Sequence, residues 1–220
     1  MNALVFGASG ELARAITSVL LEREWHVDCV TRRASGNREF LPNCDWHFVE
    51  SAYTEYQPSE LHDAYFFPQA TFLRRPIVET SADEIESMVR VGLTDLMICL
   101  RNVLAFEVTT DRRIDYCIIG STSSYAGFRD TAVYCAVKHA LVGLVRALND
   151  EYAATNRRFR IVSMGTMDTA MGRELVEQDP SSFLPCVEVA RRIVATTTEP
   201  LNLFEPEVII RRRVIRMKDQ

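Results

Sequence analysis

Seven short apolar runs, alternating with stretches of helical periodicity, constrain this 220-residue chain more than any other feature. The runs fall at residues 4–6, 26–31, 46–49, 64–67, 114–119, 160–163 and 208–210. After the first, Leu12, Ala15, Ile16, Val19 and Leu20 recur at helical spacing. Ser81 with Glu84 forms a capping-box signature, and Ile85, Met88, Val89, Leu93, Leu96 and Leu100 then predict one long helix. Val133, Val137, Leu141, Leu144 and Leu148 trace another, with shorter helices after Asp168 and over 188–195. Strands alternating with helices predict an α/β fold: a doubly wound, mostly parallel seven-stranded sheet with helices on both faces. Only a short proline-containing stretch separates the third and fourth runs, so that crossover is expected to be shortened. The length suits one domain spanning 1–220, with no internal repeat or linker.

A net charge of -5 and a pI near 5.5 oppose a general nucleic-acid-binding role, which needs clustered positive potential. Arg211-Arg212-Arg213 is the exception to that balance. The six cysteines stand at irregular spacings without a CxxC pair, and read as buried reduced thiols. The first residues enter a strand and a glycine turn without the features of a signal peptide, and no apolar run reaches the roughly 18–20 residues of a membrane span. A cytoplasmic location and no membrane contact are therefore expected.

Gly7-Ala8-Ser9-Gly10-Glu11-Leu12-Ala13 joins the first strand to the first helix. Glycines there let the backbone turn sharply and approach a pyrophosphate, which the helix N-terminus attracts through its N–H groups and dipole. At the end of the second strand, where an acidic residue would accept the ribose hydroxyls of NAD, the chain has Thr31-Arg32-Arg33. Arginine forks suit a 2′-phosphate, so Arg32 and Arg33 favour NADP(H). Asp28 lies too early in the strand for a ribose ligand. Tyr134 and Lys138 stand four residues apart at the start of a helix and so share a face. The chain has seven tyrosines and only Lys138 and Lys218 as lysines. Chance would place a lysine four residues after a tyrosine only about 0.06 times. The cation is expected to lower the phenol pKa and hold the nicotinamide ribose, leaving Tyr134 to exchange a proton with a carbonyl or carbinol oxygen.

The turn GASGELA, the strand end GSTSSYAG, YCAVK and the later MGTMDTAM, in this order, resemble the short-chain dehydrogenase/reductase series. The resemblance implies a Rossmann-type sheet, hydride transfer from a nicotinamide, and a Ser/Tyr/Lys catalytic group acting on a small carbonyl or alcohol substrate. It implies cofactor contacts from Gly7, Ser9, Gly10, Glu11, Leu12, Arg32, Arg33, Tyr134, Lys138 and Thr169, and assembly into a homodimer or homotetramer. Helix faces over 85–104 and 133–152, apolar on more than the core side, agree with such assembly. For the serine, the S-x-x-G match favours Ser124, ten residues before Tyr134, whose hydroxyl would follow the strand end and face the reacting oxygen; the family's usual interval of about 13 gives Ser121, and Ser123 is a third candidate.

The chain also departs from that pattern. The NNAG turn is replaced by Phe67-Pro68-Gln69-Ala70, and Met164-Gly165 stands where Pro-Gly is usual. The helix position of the catalytic asparagine is Gly92. These changes leave open a catalytically weak NADP(H)-binding protein with a sensing or scaffolding role. Arg74 and Arg75 follow the altered turn and are candidates for binding an anionic or sugar-like substrate. Met167 and Met171 suit an adaptable apolar wall on a substrate lid, or core packing.

Overall fold

The computed structural model describes residues 1–32, 40–106, 111–174, 179–200 and 203–212. Its centre is a seven-stranded sheet of β1 (Asn2–Phe6), β2 (His26–Arg32), β3 (Asp45–Val49), β4 (Ala64–Phe67), β5 (Ile114–Ile119), β6 (Arg157–Met164) and β7 (Glu207–Ile210). Every pairing is parallel, and the order is β3-β2-β1-β4-β5-β6-β7. The predicted Rossmann-type α/β class is therefore the observed one. Alternate residues divide the core. Ala3, Val5, Cys29 and Cys117 meet α1 (Glu11–Glu22) and α6 (Cys186–Thr197) on one face. Leu4, Phe6, Tyr65, Tyr116 and Phe159 meet α3 (Asp95–Phe106) and α4 (Ala132–Glu151) on the other. The shortened crossover holds only a three-residue 3-10 turn at Tyr53–Glu55.

Two expectations change. The long helix opens as α2 (Ala82–Val89), with Ser81 and Glu84 forming the capping box, but becomes a π-turn at Arg90–Thr94 before α3. β6 begins at Arg157, three residues earlier than the apolar pattern indicates, because Arg158 and Arg160 are buried with partners. Arg158 contacts Asp115 at 2.7 Å, and Arg160, 1% exposed, reaches Glu199 at 2.8 Å and the carbonyls of Thr196 and Glu205. All six cysteines are free thiols, as their spacing suggests.

On β2, Asp28 is 2% exposed and accepts hydrogen bonds from His47 Nε2 and His62 Nε2 at 2.6 Å each. Burial alone would raise its pKa, but these hydrogen bonds and the imidazole charges outweigh burial and leave it below the ordinary carboxylate value. A depressed folded pKa stabilises the fold above the unfolded value near 3.8, and that contribution disappears as the pH falls through the folded pKa. Asp28→Asn is thus expected to lower stability at neutral pH and to flatten the acid limb below about pH 4. Urea unfolding across pH 3–7 checks this, and parallel acid limbs for the two proteins would contradict it.

Candidate active site

The strand order reverses between β1 and β4, and in open parallel sheets the crevice at the carboxyl ends beside such a point takes the ligand. A cleft of about 1090 Å³ lies there, lined by the turn after β1, residues 68–72 after β4, the β5 end and the segment after β6. Gly7, Ser9, Gly10, Glu11 and Leu12 all border it. Gly7 adopts φ 62°, and a Cβ there would sit 3.2 Å from Cβ of Gln69. Only glycine accepts that conformation without strain. Gly10 is the N-cap of α1, and no side chain caps the helix, so its N-terminal N–H groups and dipole are available to a bound diphosphate. This cradle fits a dinucleotide. Glu11 also makes a contact across the cleft: its Oε2 accepts a hydrogen bond from the backbone N–H of Ala170 at 2.7 Å. It ties the glycine turn to α5 (Ala170–Arg173).

Arg32 ends β2 at the cleft wall, with its guanidinium 5.7 Å from the ring centroid of Tyr53. Arg33 lies outside the described residues. Thr169 borders the cleft and caps α5, its Oγ1 accepting from the Gly172 N–H at 3.1 Å. Met167 and Met171 also line the cleft; Met167 packs against the core and Met171 is 38% exposed.

α4 places Tyr134 in its first turn and Lys138 one turn later, both at the cleft, with 9% and 2% exposure. Lys138 Nζ donates to the carbonyl of Ile119, at the end of β5, over 3.0 Å. It lies 5.7 Å from the centroid of the Tyr134 ring. Burial lowers the lysine from 10.5 to about 8. That shift corresponds to about 3 kcal/mol held against the fold at neutral pH. The penalty is full below about pH 8 and is relieved as the pH rises towards 10.5. Tyr134 behaves differently from the sequence expectation: its pKa is raised, by burial first, while a hydrogen bond with the Ser121 side chain opposes the shift. Desolvation of the phenolate outweighs stabilisation by neighbours, so the phenol keeps its proton.

The serines separate cleanly. Residues Thr122–Ser124 wind into a 3-10 turn capped by Ser121. This turn directs Ser124 inward, 2% exposed and away from the cleft lining, where its Oγ accepts from the Ser121 N–H at 3.1 Å. Ser121 and Ser123 line the cleft, and Ser121 is the serine whose side chain pulls the Tyr134 pKa down. The S-x-x-G match therefore points to a turn-forming serine, and the interval of about 13 residues points to one that lines the cleft.

Gly92 sits in the π-turn, and a Cβ there would come within 2.7 Å of Val137 Cγ1. Close approach of the π-turn to α4 thus explains the missing asparagine in packing terms. Of the two candidate arginines after β4, Arg74 lines the cleft. Arg75 does not: it pairs with Glu84 at 2.7 Å, and its N–H donates to the Asp130 carbonyl at 2.6 Å. The sequence gives no signal for Arg129, which borders the cleft, or for Phe72, whose ring meets Tyr134 edge-on at 5.0 Å. Gln69, in the altered turn, is buried with neither amide atom hydrogen-bonded.

The family described as Enoyl-(Acyl carrier protein) reductase matches residues 61–194, more than half of the chain and the part that contains Ser121, Tyr134 and Lys138. The chain belongs to the short-chain dehydrogenase/reductase family. Among curated relatives, the 3-oxoacyl-[acyl-carrier-protein] reductase of Bos taurus is 27% identical over 188 residues, covering 79% of this chain and 78% of that protein. An inactive 2-(S)-hydroxypropyl-CoM dehydrogenase 2 of Xanthobacter autotrophicus is 32% identical over 92 residues, 41% of this chain and 40% of that protein. The closed form of a serine dehydrogenase, solved with NADP+, superposes with a TM-score of 0.81 at 17% identity over 100% of both chains. Within the family frame, Gly92 is the departure most open to direct test. Gly92→Asn is expected to cost about 1–3 kcal/mol through overpacking against Val137. Adding Val137→Ala should recover part of the loss, as read by thermal and urea unfolding; additive losses in the double variant would refute the contact.

Proposed function

We propose that this protein is an NADP(H)-dependent oxidoreductase that reduces a small carbonyl substrate or oxidises the corresponding alcohol. The observation that carries the reading is the buried Tyr134–Lys138 pair at the cleft, with Ser121 in the same lining. Arg32, with Arg33 beside it in sequence, would hold the 2′-phosphate, and the α1 N-terminus the diphosphate. Thr169, at the start of α5, would contact the nicotinamide half. When bound, NADPH supplies the hydride for the carbonyl carbon. Tyr134 donates its proton to the carbonyl oxygen, for which a phenol held neutral by burial is suited. Ser121 orients that oxygen by hydrogen bonding, and the Lys138 ammonium offsets negative charge as the phenol gives up its proton. Met97 and Ile98, exposed on α3, supply apolar surface for the expected homo-oligomer.

A second reading, a cofactor-binding protein with weak or no turnover, draws support from Gly92 and from the unbonded Gln69 amide in place of the usual NNAG turn. Similarity over 92 residues to a relative named as inactive points the same way. Titration with NADPH and NADH, followed by absorbance at 340 nm with a panel of aldehydes and ketones, separates the two readings. The oxidoreductase reading expects turnover that falls by about 10²-fold or more in Tyr134→Phe. Ser121→Ala should lower turnover more than Ser124→Ala does. The reduction rate should decline as the pH rises through about 8 and Lys138 loses its charge. Tight NADPH binding without turnover on any carbonyl would favour the second reading, and a preference for NADH would remove the role given to Arg32.

A further inference from the structure

The cleft is lined by arginines from several segments of the chain. Arg32 stands at the β2 end, near the glycine turn, where a cofactor phosphate would lie. Arg74 and Arg129 also line the cleft, on the segments that follow β4 and precede α4. They come from segments far apart in sequence that are pinned together, since the Arg75 N–H donates to the Asp130 carbonyl at 2.6 Å. Each cleft arginine therefore directly precedes one member of that hydrogen bond. Phe72, two residues before Arg74, packs edge-on against the Tyr134 ring at 5.0 Å. Two arginine-bearing segments are thus held together next to the start of α4, with the Arg129 side chain exposed to the solvent.

Among the described residues, few carboxylates line the cleft. Asp130 meets Arg129 at 3.4 Å but does not line the cleft. Glu84 is engaged by Arg75. Glu11 is the one acidic residue among the described residues of the lining, and it accepts the Ala170 N–H. Arg211 and Arg212 also border the cleft and add further positive charge. Arginine binds carboxylate and phosphate through paired N–H donors, and positive charge in a cleft raises the local concentration of anions. Phe128, 52% exposed and next to Arg129 in the lining, adds apolar surface for the carbon skeleton between anion and carbonyl.

We propose that the cleft selects carbonyl substrates bearing a carboxylate or phosphate, with Arg74 and Arg129 binding that anionic group beside Tyr134. The carbonyl part of this statement rests on the oxidoreductase reading; the anion part rests on the two arginines alone. The full chain in complex with NADPH is titrated with 4-oxopentanoate and with its neutral methyl ester. Binding is followed by the fluorescence of the bound nicotinamide, and turnover by absorbance at 340 nm. The acid is expected to bind about 10-fold or more tighter than the ester, and less tightly at high salt. In the Arg74→Gln/Arg129→Gln double variant the acid-to-ester ratio should collapse towards one, while Arg74→Lys/Arg129→Lys should keep part of it. NADPH affinity reports that each variant is folded. Equal affinity for acid and ester, no binding of the acid, or an undiminished preference in the glutamine variant overturns the proposal. Selective binding of the acid without turnover of either probe supports the anion subsite and counts against the oxidoreductase reading instead.

Discussion

An ammonium buried to 2% exposure must be held against its own hydration, and in this protein the sheet does the holding. Lys138 reaches from α4 to the carbonyl of Ile119, the last residue of β5, over 3.0 Å. That hydrogen bond joins a helix on one face to the carboxyl edge where the cleft opens. Tyr134, one turn earlier on the same helix, is then placed at the cleft, with Ser121 in the same lining. The opposition to folding, about 3 kcal/mol, is tolerable only because two apolar layers flank the sheet. The site is therefore a locally unfavourable arrangement imposed by favourable packing elsewhere.

The opposite edge of the sheet also buries charge, but there each charge has a protein partner. Asp28 is enclosed by His47 and His62, and Asp115 by Arg113 and Arg158. Arg160 fastens β6 to the chain leaving α6 through the Thr196 carbonyl and Glu199. Removing one member of such a group leaves the other buried and unpaired, so these clusters bind the strand beginnings to their surroundings tightly. Lys138 differs in kind: its partner is a neutral carbonyl, and its charge faces a cleft rather than a carboxylate. One end of the sheet satisfies its charges internally, and the other leaves charge to act on what enters.

Local patterns made the fold legible. Seven apolar runs, a capping box and a glycine turn are short-range signals, and each lies where the structure puts the corresponding element. Tyr134 and Lys138 were legible for the same reason, since a spacing of four residues implies a common helix face. The failures share a different cause. β6 hid its first residues because arginines read as exposed until Asp115 and Glu199 are brought to them by the fold. Gly92 read as a lost side chain, whereas contact with Val137, 45 positions away, leaves no room for one. Ser124 matched a pattern, but the 3-10 turn rotates it inward and leaves Ser121 at the cleft lining. Long-range contact and local rotation are not written in residue spacing.

The arginines after β4 link the fold to specificity. Arg74 and Arg75 are indistinguishable in sequence, adjacent and alike in charge. The fold separates them: Arg75 is consumed by Glu84 and by its backbone bond to Asp130, and that same bond sets Arg74 and Arg129 on neighbouring segments at the cleft. A structural contact thus creates the positive wall without contributing to it. The family's chemistry is set by α4 and the end of β5, elements fixed by the core. On the proposed reading, selection among substrates depends on loops after β4 and before α4, which the core does not dictate, and the replaced NNAG turn lies in the first of them.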